Sequence, residues 1–275
     1  EGLEALYLAY LENDLTHAAI SAPYASALAA LRQGQLTLPP HLVGLKGQVT
    51  GPISWGLTVV DESQRPILYD QVLADAVSKH LRLKAAWQEQ ELKRLAPTTI
   101  LFIDEPYMTS LGSSFVPLDR EQAVGLLEEV LAGLSGITGI HCCGSTEWPV
   151  VLNTSVDIVS FDAFDYGHTL ALYPEEVNRF LARGGVIAWG ISPAGIAAEN
   201  ETVETLVQRL HDAIGRLEER GVERDAILRA GLVMPSCSVG SLPPTLAEHV
   251  FALTAGVSAE MRRRYVEQRS TEPVS

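Results

Sequence analysis

A histidine and a cysteine stand one residue apart at the end of a short apolar run, in the stretch GIHCCGS. Side chains alternate between the two faces of a strand, so His141 and Cys143 are predicted to point one way and Cys142 the other. A third cysteine, Cys237, ends another apolar run, LVMPSCS. An imidazole and two thiolates make a three-ligand zinc site whose fourth coordination position stays open for chemistry. The residue types therefore predict that His141, Cys143 and Cys237 bind Zn²⁺.

Composition limits the classes of partner. The chain has 275 residues and a formal net charge of −14, with acidic residues spread along it and no basic cluster, which argues against binding to nucleic acid or to an anionic membrane. No apolar run approaches the roughly 18 residues that span a bilayer, and no signal peptide opens the chain. Three cysteines are an odd number, which argues against a disulfide framework and predicts a cytoplasmic protein. The chain begins without methionine, so we expect an N-terminal segment to be missing.

Apolar runs and helical patterns alternate along the chain. Six short strands are predicted, and such alternation is typical of a parallel sheet in an α/β protein. At this length the leading architecture is a (β/α)₈ TIM-type barrel that forms one domain over residues 1–275. A doubly wound sheet is the alternative, but no glycine-rich phosphate loop follows the first strand.

The residues predicted at carboxyl ends of strands are Asp104, His141, Cys143, Asp162, Ser192 and Cys237. In a barrel these ends converge on one face, where catalytic groups lie.

Local patterns place the elements between these strand ends. Helical structure is predicted over residues 1–40, a strand over 42–49, a long helix over 69–95 and a C-terminal helix over about 246–267. Asp119, with Gln122 three residues later, is predicted to cap a helix. Asn200 is predicted to cap another.

The motifs, taken in order, resemble a known family. The succession KGQVTGP, FIDEP, IHCCG, DIVSFD and MPSCS is similar to the C-terminal catalytic barrel of cobalamin-independent methionine synthase, which shows a TGP turn, an IDEP segment, a His-x-Cys pair and a later Pro-x-Cys. The HCCG version is also similar to zinc-dependent methylcobalamin:thiol methyltransferases of the uroporphyrinogen decarboxylase superfamily. The resemblance covers roughly Lys46 to Ser238. It implies a barrel whose first strand is absent from this chain.

The resemblance also implies roles for individual residues. The histidine and two cysteines named above match the zinc ligands that both groups share. Asp162 stands where methionine synthase has a glutamate as exchangeable fourth ligand, and Asp104 matches the aspartate that holds the amino group of homocysteine. Ser192 is a second predicted substrate contact. The catalytic set that the resemblance implies is Asp104, His141, Cys143 and Cys237.

One departure from the family concerns the methyl donor. Folate-using methionine synthases carry a proton-donating histidine in an Ile-His-Ser-Pro segment, because a methylated amine leaves poorly until it is protonated. Here the corresponding run is WGISP, and Ile191 occupies the place of that histidine. A corrinoid donor needs no such acid, so this departure favours methylcobalamin or a corrinoid protein over methyltetrahydrofolate. His168 and Tyr166 are alternative acids.

The leading hypothesis is thus a zinc-dependent methyltransferase that acts on a small thiol, with homocysteine giving methionine. Two alternatives stay open. The first is a metal-free decarboxylase of the same superfamily, although no arginine is predicted at a strand end. The second is a non-catalytic barrel that binds a thiol, a corrinoid or zinc.

Overall fold

The computed structural model describes residues 2–113, 116 and 118–267. Six strands are present: β1 (Leu45–Thr50), β2 (Thr99–Asp104), β3 (Ile137–Cys142), β4 (Ile158–Asp162), β5 (Val186–Ser192) and β6 (Gly231–Pro235). The α-helices are α1 (Gly2–Glu12), α2 (Ser26–Arg32), α3 (Pro52–Thr58), α4 (Gln71–Lys93), α5 (Arg120–Leu131), α6 (Trp148–Leu152), α7 (Ala163–Tyr166), α8 (Pro174–Ala182), α9 (Val203–Glu218), α10 (Arg224–Arg229) and α11 (Pro244–Arg262). Short 3₁₀-helices cover Leu15–Ala18, Ala22–Tyr24, Ile67–Tyr69, Pro106–Ser110, Leu170–Leu172 and Ile196–Asn200, and a π-helical turn covers Arg263–Glu267.

The strands belong to one six-stranded sheet in the order β1-β2-β3-β4-β5-β6. The registered pairs β1–β2, β2–β3, β4–β5 and β5–β6 are all parallel. Sequential parallel strands with helices between them are the arrangement that the alternating pattern predicts. The prediction of a mixed α/β fold with six parallel strands is confirmed. Closure into a (β/α)₈ barrel, and one domain over residues 1–275, stay predictions; Glu1 and residues 268–275 lie outside the described part.

By its internal contacts the chain divides into two compact units, Glu1–His141 with Thr154–Asp157, and Cys142–Asn153 with Ile158–Ser275. In the first unit α4 packs against β1 and β2. Leu101 and Ile103 of β2 are fully buried, as alternate residues of a strand facing a helix should be. Gly47 of β1 faces α4 so closely that a Cβ atom there would lie 2.2 Å from the side-chain oxygen of Gln88.

In the second unit an aromatic cluster fills the core behind β4 and β5. The ring centroids of Trp148 and Phe161 lie 5.2 Å apart, and those of Phe161 and Trp189 lie 5.6 Å apart. The indole N–H of Trp148 donates to the hydroxyl of Thr169 at 2.9 Å, so its buried polar atom is satisfied. Helix α9 packs against β5, and α11 packs against both β5 and β6.

Several local predictions are confirmed and others need correction. Asp119 and Gln122 form the predicted capping box of α5. Asn200 does not cap α9; the cap is Thr202, which forms a reciprocal capping box with Thr205 and so satisfies two terminal N–H groups at once.

The predicted helical segment over residues 1–40 is interrupted rather than continuous. Gly34 has φ +67°, a left-handed conformation that suits glycine just past the end of α2. The first strand begins at Leu45, not at residue 42, because its pairing with β2 starts there. Within the described ranges, no helix combines the length and the apolar character that crossing a membrane requires.

Candidate functional site

The two cysteines of the predicted zinc site are close together in the second unit. The Sγ atoms of Cys143 and Cys237 lie 3.3 Å apart, with no disulfide bond joining them. Cys143 is partly buried and Cys237 is exposed. Two sulfurs held at 2.3 Å by one tetrahedral Zn²⁺ are about 3.8 Å apart, so a shift of about half an ångström would admit the ion.

Cys237 is positioned by contacts between the segment after β6 and the end of β5. The N–H of Ser236 donates to the carbonyl of Ser192 at 2.8 Å, and the hydroxyl of Ser236 accepts the N–H of Ala194 at 3.0 Å. Gly190 permits this approach, because a Cβ atom there would lie 2.8 Å from the Cα of Ser236. The position of Cys237 therefore depends on a glycine and a serine that are not ligands.

His141 is the penultimate residue of β3 and is only 9% exposed. An imidazole nitrogen of His141 and the two sulfurs of Cys143 and Cys237 all lie within 4.8 Å of one another. Such a group of one nitrogen and two sulfurs could hold a metal ion. Cys142 is fully buried, as expected of a side chain that points to the face opposite that of its neighbours.

Asp104 ends β2 and is the register partner of His141 on β3 and of Thr50 on β1. Register partners in a parallel sheet project from the same face, so Asp104 and His141 share one face at the carboxyl end of their strands. The carbonyl of Asp104 accepts the N–H of Gly51 at 2.8 Å, which ties the strand end to the turn after β1.

Asp162 ends β4 and acts as the N-cap of α7, where its side chain accepts the N–H of Asp165 at 3.1 Å. Burial raises the pKa of Asp162 above its ordinary value, and the nearby Asp165 and Cys237 add to that rise. Asp162 is not one of the three residues in the group that could hold a metal ion. Its role as an exchangeable fourth ligand stays a prediction.

Ser192 ends β5 and is fully buried. Its hydroxyl has no hydrogen-bond partner among the described residues. A buried hydroxyl without a partner costs about 1–3 kcal/mol relative to a satisfied one. The position therefore suits a group that gains its partner when a ligand binds.

Ile191, which stands in the place of the family's proton-donating histidine, is also fully buried. Its side chain has no proton to donate. His168 and Tyr166, the alternative acids, are both exposed.

Glu105 is a further residue of this region, and no role for it was predicted from the sequence. This residue is fully buried, and its carboxylate accepts two backbone N–H groups and a hydroxyl from α3. A pattern in the sequence points to it: α3 begins at Gly51-Pro52, and a glycine N-cap has no side chain to satisfy the first N–H groups. An acceptor must then come from elsewhere in the chain.

One described cavity lies away from these residues, within the second unit. It has a volume of about 480 Å³ and is bordered by α9, α10, α11 and the amino-terminal end of β6, with Leu232, Met261 and Tyr265 among its lining residues. Cys237 follows the opposite end of that strand. The cavity therefore contributes nothing to the candidate site.

No family model matches this chain, and no curated protein sequence matches it significantly.

Proposed function

We propose that this protein is a zinc-dependent methyltransferase that moves a methyl group to the sulfur of a small thiol, with homocysteine as the favoured acceptor and methionine as the product. The observation that carries the proposal is the group formed by His141, Cys143 and Cys237. The order of sequence motifs that resembles methionine synthases supports the choice of reaction.

The donor set favours zinc as the resident metal. Two thiolates and one imidazole are the ligands of catalytic zinc sites in which one position stays open. Hard cations such as Mg²⁺ and Ca²⁺ prefer oxygen ligands and fit this set poorly. Partial burial of Cys143 and His141 limits competition from water for the ion.

Zinc, when bound, would convert the substrate thiol, whose ordinary pKa is about 8.5, into the thiolate that attacks carbon. The two cysteines matter for the reactivity of that sulfur. As thiolates, Cys143 and Cys237 cancel the charge of a divalent ion, whereas three neutral ligands would leave the full positive charge to draw electron density from the substrate. The ligand set therefore suits alkyl transfer to sulfur better than the activation of water.

The remaining residues orient the substrate in this proposal. Asp104, on the same face as His141, binds the ammonium group of homocysteine through a charge-assisted hydrogen bond. The hydroxyl of Ser192, which has no hydrogen-bond partner among the described residues, bonds to a polar atom of the substrate. Asp162 is the fourth ligand that the substrate thiol replaces, and its bond to Asp165 orients it for that role.

The side chain of Ile191 is the basis for the proposed methyl donor. Since this buried side chain supplies no proton, the proposal favours a leaving group that departs without one. Reduced cobalt of a corrinoid is such a leaving group, and the amine of methyltetrahydrofolate is not. The donor is therefore methylcobalamin or a corrinoid protein.

A methyl-transfer assay tests the proposed function. The zinc-loaded protein is incubated with homocysteine and either methylcobalamin or methyltetrahydrofolate, and methionine is measured. We expect methionine to form from homocysteine and methylcobalamin, and none to form from homocysteine and methyltetrahydrofolate. Turnover with methyltetrahydrofolate would overturn the choice of donor, and no methionine with either donor would overturn the methyltransferase proposal.

A further inference from the structure

Glu105 caps a helix that has no capping side chain of its own. One carboxylate oxygen accepts the N–H of Ile53 at 2.9 Å, and the other accepts the N–H of Ser54 at 2.7 Å and the hydroxyl of Ser54 at 2.6 Å. These N–H groups belong to the first turn of α3, where a negative charge is favourable. A side chain at the end of β2 therefore completes the helix that follows β1.

The main chain around Glu105 joins the same elements. Its N–H donates to the carbonyl of His141 at 2.7 Å, and the carbonyl of Asp104 accepts the N–H of Gly51 at 2.8 Å. A Cβ atom at position 51 would lie 2.2 Å from the Glu105 carboxylate, so a larger residue cannot occupy the turn without moving it. The hydroxyl of Ser54 in turn accepts the N–H of Tyr107 at 3.0 Å.

We propose that Glu105 is a positioning residue that fixes the carboxyl ends of β2 and β3 and thereby orients Asp104 and His141. The roles of those two residues in binding substrate and metal rest on the proposed function. Asp104 is bonded covalently to Glu105, and His141 is held by its N–H, so a shift of the Glu105 backbone moves both. Groups that hydrogen-bond the side chain of a metal ligand typically contribute 10- to 100-fold in metal affinity, so a residue that acts through the ligand's backbone should contribute near the lower end of that range.

Glu105→Gln tests the positioning role of Glu105, because glutamine has nearly the same shape as glutamate. Three donors point at the Glu105 carboxylate, and Glu105→Gln replaces one acceptor oxygen with an N–H₂ group that faces a donor. The backbone must move to relieve that opposition. Ser54→Ala is a milder second variant, because it removes one of the three donors and leaves both backbone N–H groups in place.

Glu89 provides a matched control at the other end of β3. Its carboxylate is also buried and accepts the backbone N–H groups of Ser135 and Gly136, which precede the strand. Glu89→Gln therefore makes the same chemical change at a buried carboxylate that accepts backbone N–H groups in the same unit, where Lys93 also pairs with it at 2.9 Å. A merely structural effect would be similar in the two variants.

The experiment measures the Zn²⁺ dissociation constant by chelator competition and the KM for homocysteine at pH 8 in the full chain. For Glu105→Gln we expect both to rise by about 10-fold or more, with a smaller change in the same direction for Ser54→Ala. For Glu89→Gln we expect changes below about twofold. Equal effects in the two glutamine variants, or unchanged values in Glu105→Gln, would overturn the positioning role.

A readout that needs no metal separates this proposal from the proposed function. The ring chemical shifts of His141, assigned with His141→Asn in histidine-labelled protein, should move in Glu105→Gln and stay in place in Glu89→Gln. Unmoved shifts in Glu105→Gln would overturn the positioning role even if the wild type bound zinc. Moved shifts in a protein that binds no zinc would support the positioning role and reject the metal site.

Discussion

The sulfur atoms of Cys143 and Cys237 lie 3.3 Å apart although 94 residues separate the two cysteines in the chain. Each cysteine comes shortly after the carboxyl end of a strand, Cys143 after β3 and Cys237 after β6. The two cysteines belong to different segments, so local structure in either segment cannot bring them together. The fold brings the thiols together, and the group that they form with His141 is the basis of the proposed reaction.

Replacing the proposed substrate anchor should weaken substrate binding. Asp104→Asn removes the negative charge that would hold the ammonium group of homocysteine, so we expect KM to rise about 10-fold to 100-fold. Steady-state kinetics with varied homocysteine provides the measurement. Asp70→Asn is the control, since Asp70 is the exposed N-cap of α4 and asparagine caps equally well. A KM that stays the same in Asp104→Asn would remove the residue from substrate binding.

Ser192→Ala should separate stability from substrate binding. The buried hydroxyl has no partner among the described residues, so its removal should leave the free energy of unfolding unchanged or raise it by up to about 1 kcal/mol. The KM for homocysteine should rise about 3-fold to 10-fold, because the substrate loses one hydrogen bond. Urea unfolding and kinetics on the same preparation check both effects.

Ser160→Ala is the matched control for that variant. Ser160 is also fully buried, but its hydroxyl donates to the sulfur of Met234 at 3.3 Å. We expect this substitution to leave KM unchanged. A clear loss of stability in Ser192→Ala with unchanged KM would mean that the hydroxyl serves the fold rather than the substrate.

Stability should depend on pH through Glu105. Burial raises the pKa of Glu105 to about 7, and neighbouring Asp104 adds to the rise, against three hydrogen bonds that oppose it. The folded chain then binds this proton more tightly than the unfolded chain, so the stabilisation is complete below the unfolded pKa of about 4.5 and is lost as pH rises through 7. The free energy of unfolding should fall by up to about 3 kcal/mol from this group across that range.

Glu105→Gln removes the titrating group and isolates its contribution. Urea unfolding at pH 5 and pH 8 should show a larger stability advantage of the wild type over the variant at pH 5 than at pH 8. Equal advantages at the two pH values would show that Glu105 has the same pKa in the folded and unfolded chains.

The strand ends were predictable from the sequence, whereas the contacts that hold them were not. Apolar runs ending in Asp104, Asp162 and Ser192 identified the ends of β2, β4 and β5 correctly, because buried parallel strands are short and apolar. Glu105 was missed because its partners lie 51 and 52 residues away, on a helix whose own cap is a glycine. Thr202 was missed because Asn200 is an equally good capping residue type two positions earlier.

Metal content tests the central claim most directly. Protein purified without chelators, or loaded with Zn²⁺ and desalted, is analysed for metal by mass spectrometry alongside Cys143→Ser and Cys237→Ser. We expect about one zinc per wild-type chain and a loss of zinc in both variants, since each removes a thiolate ligand. A wild-type protein that carries no zinc while its thiols are intact would contradict the proposed site and the methyl transfer that depends on it.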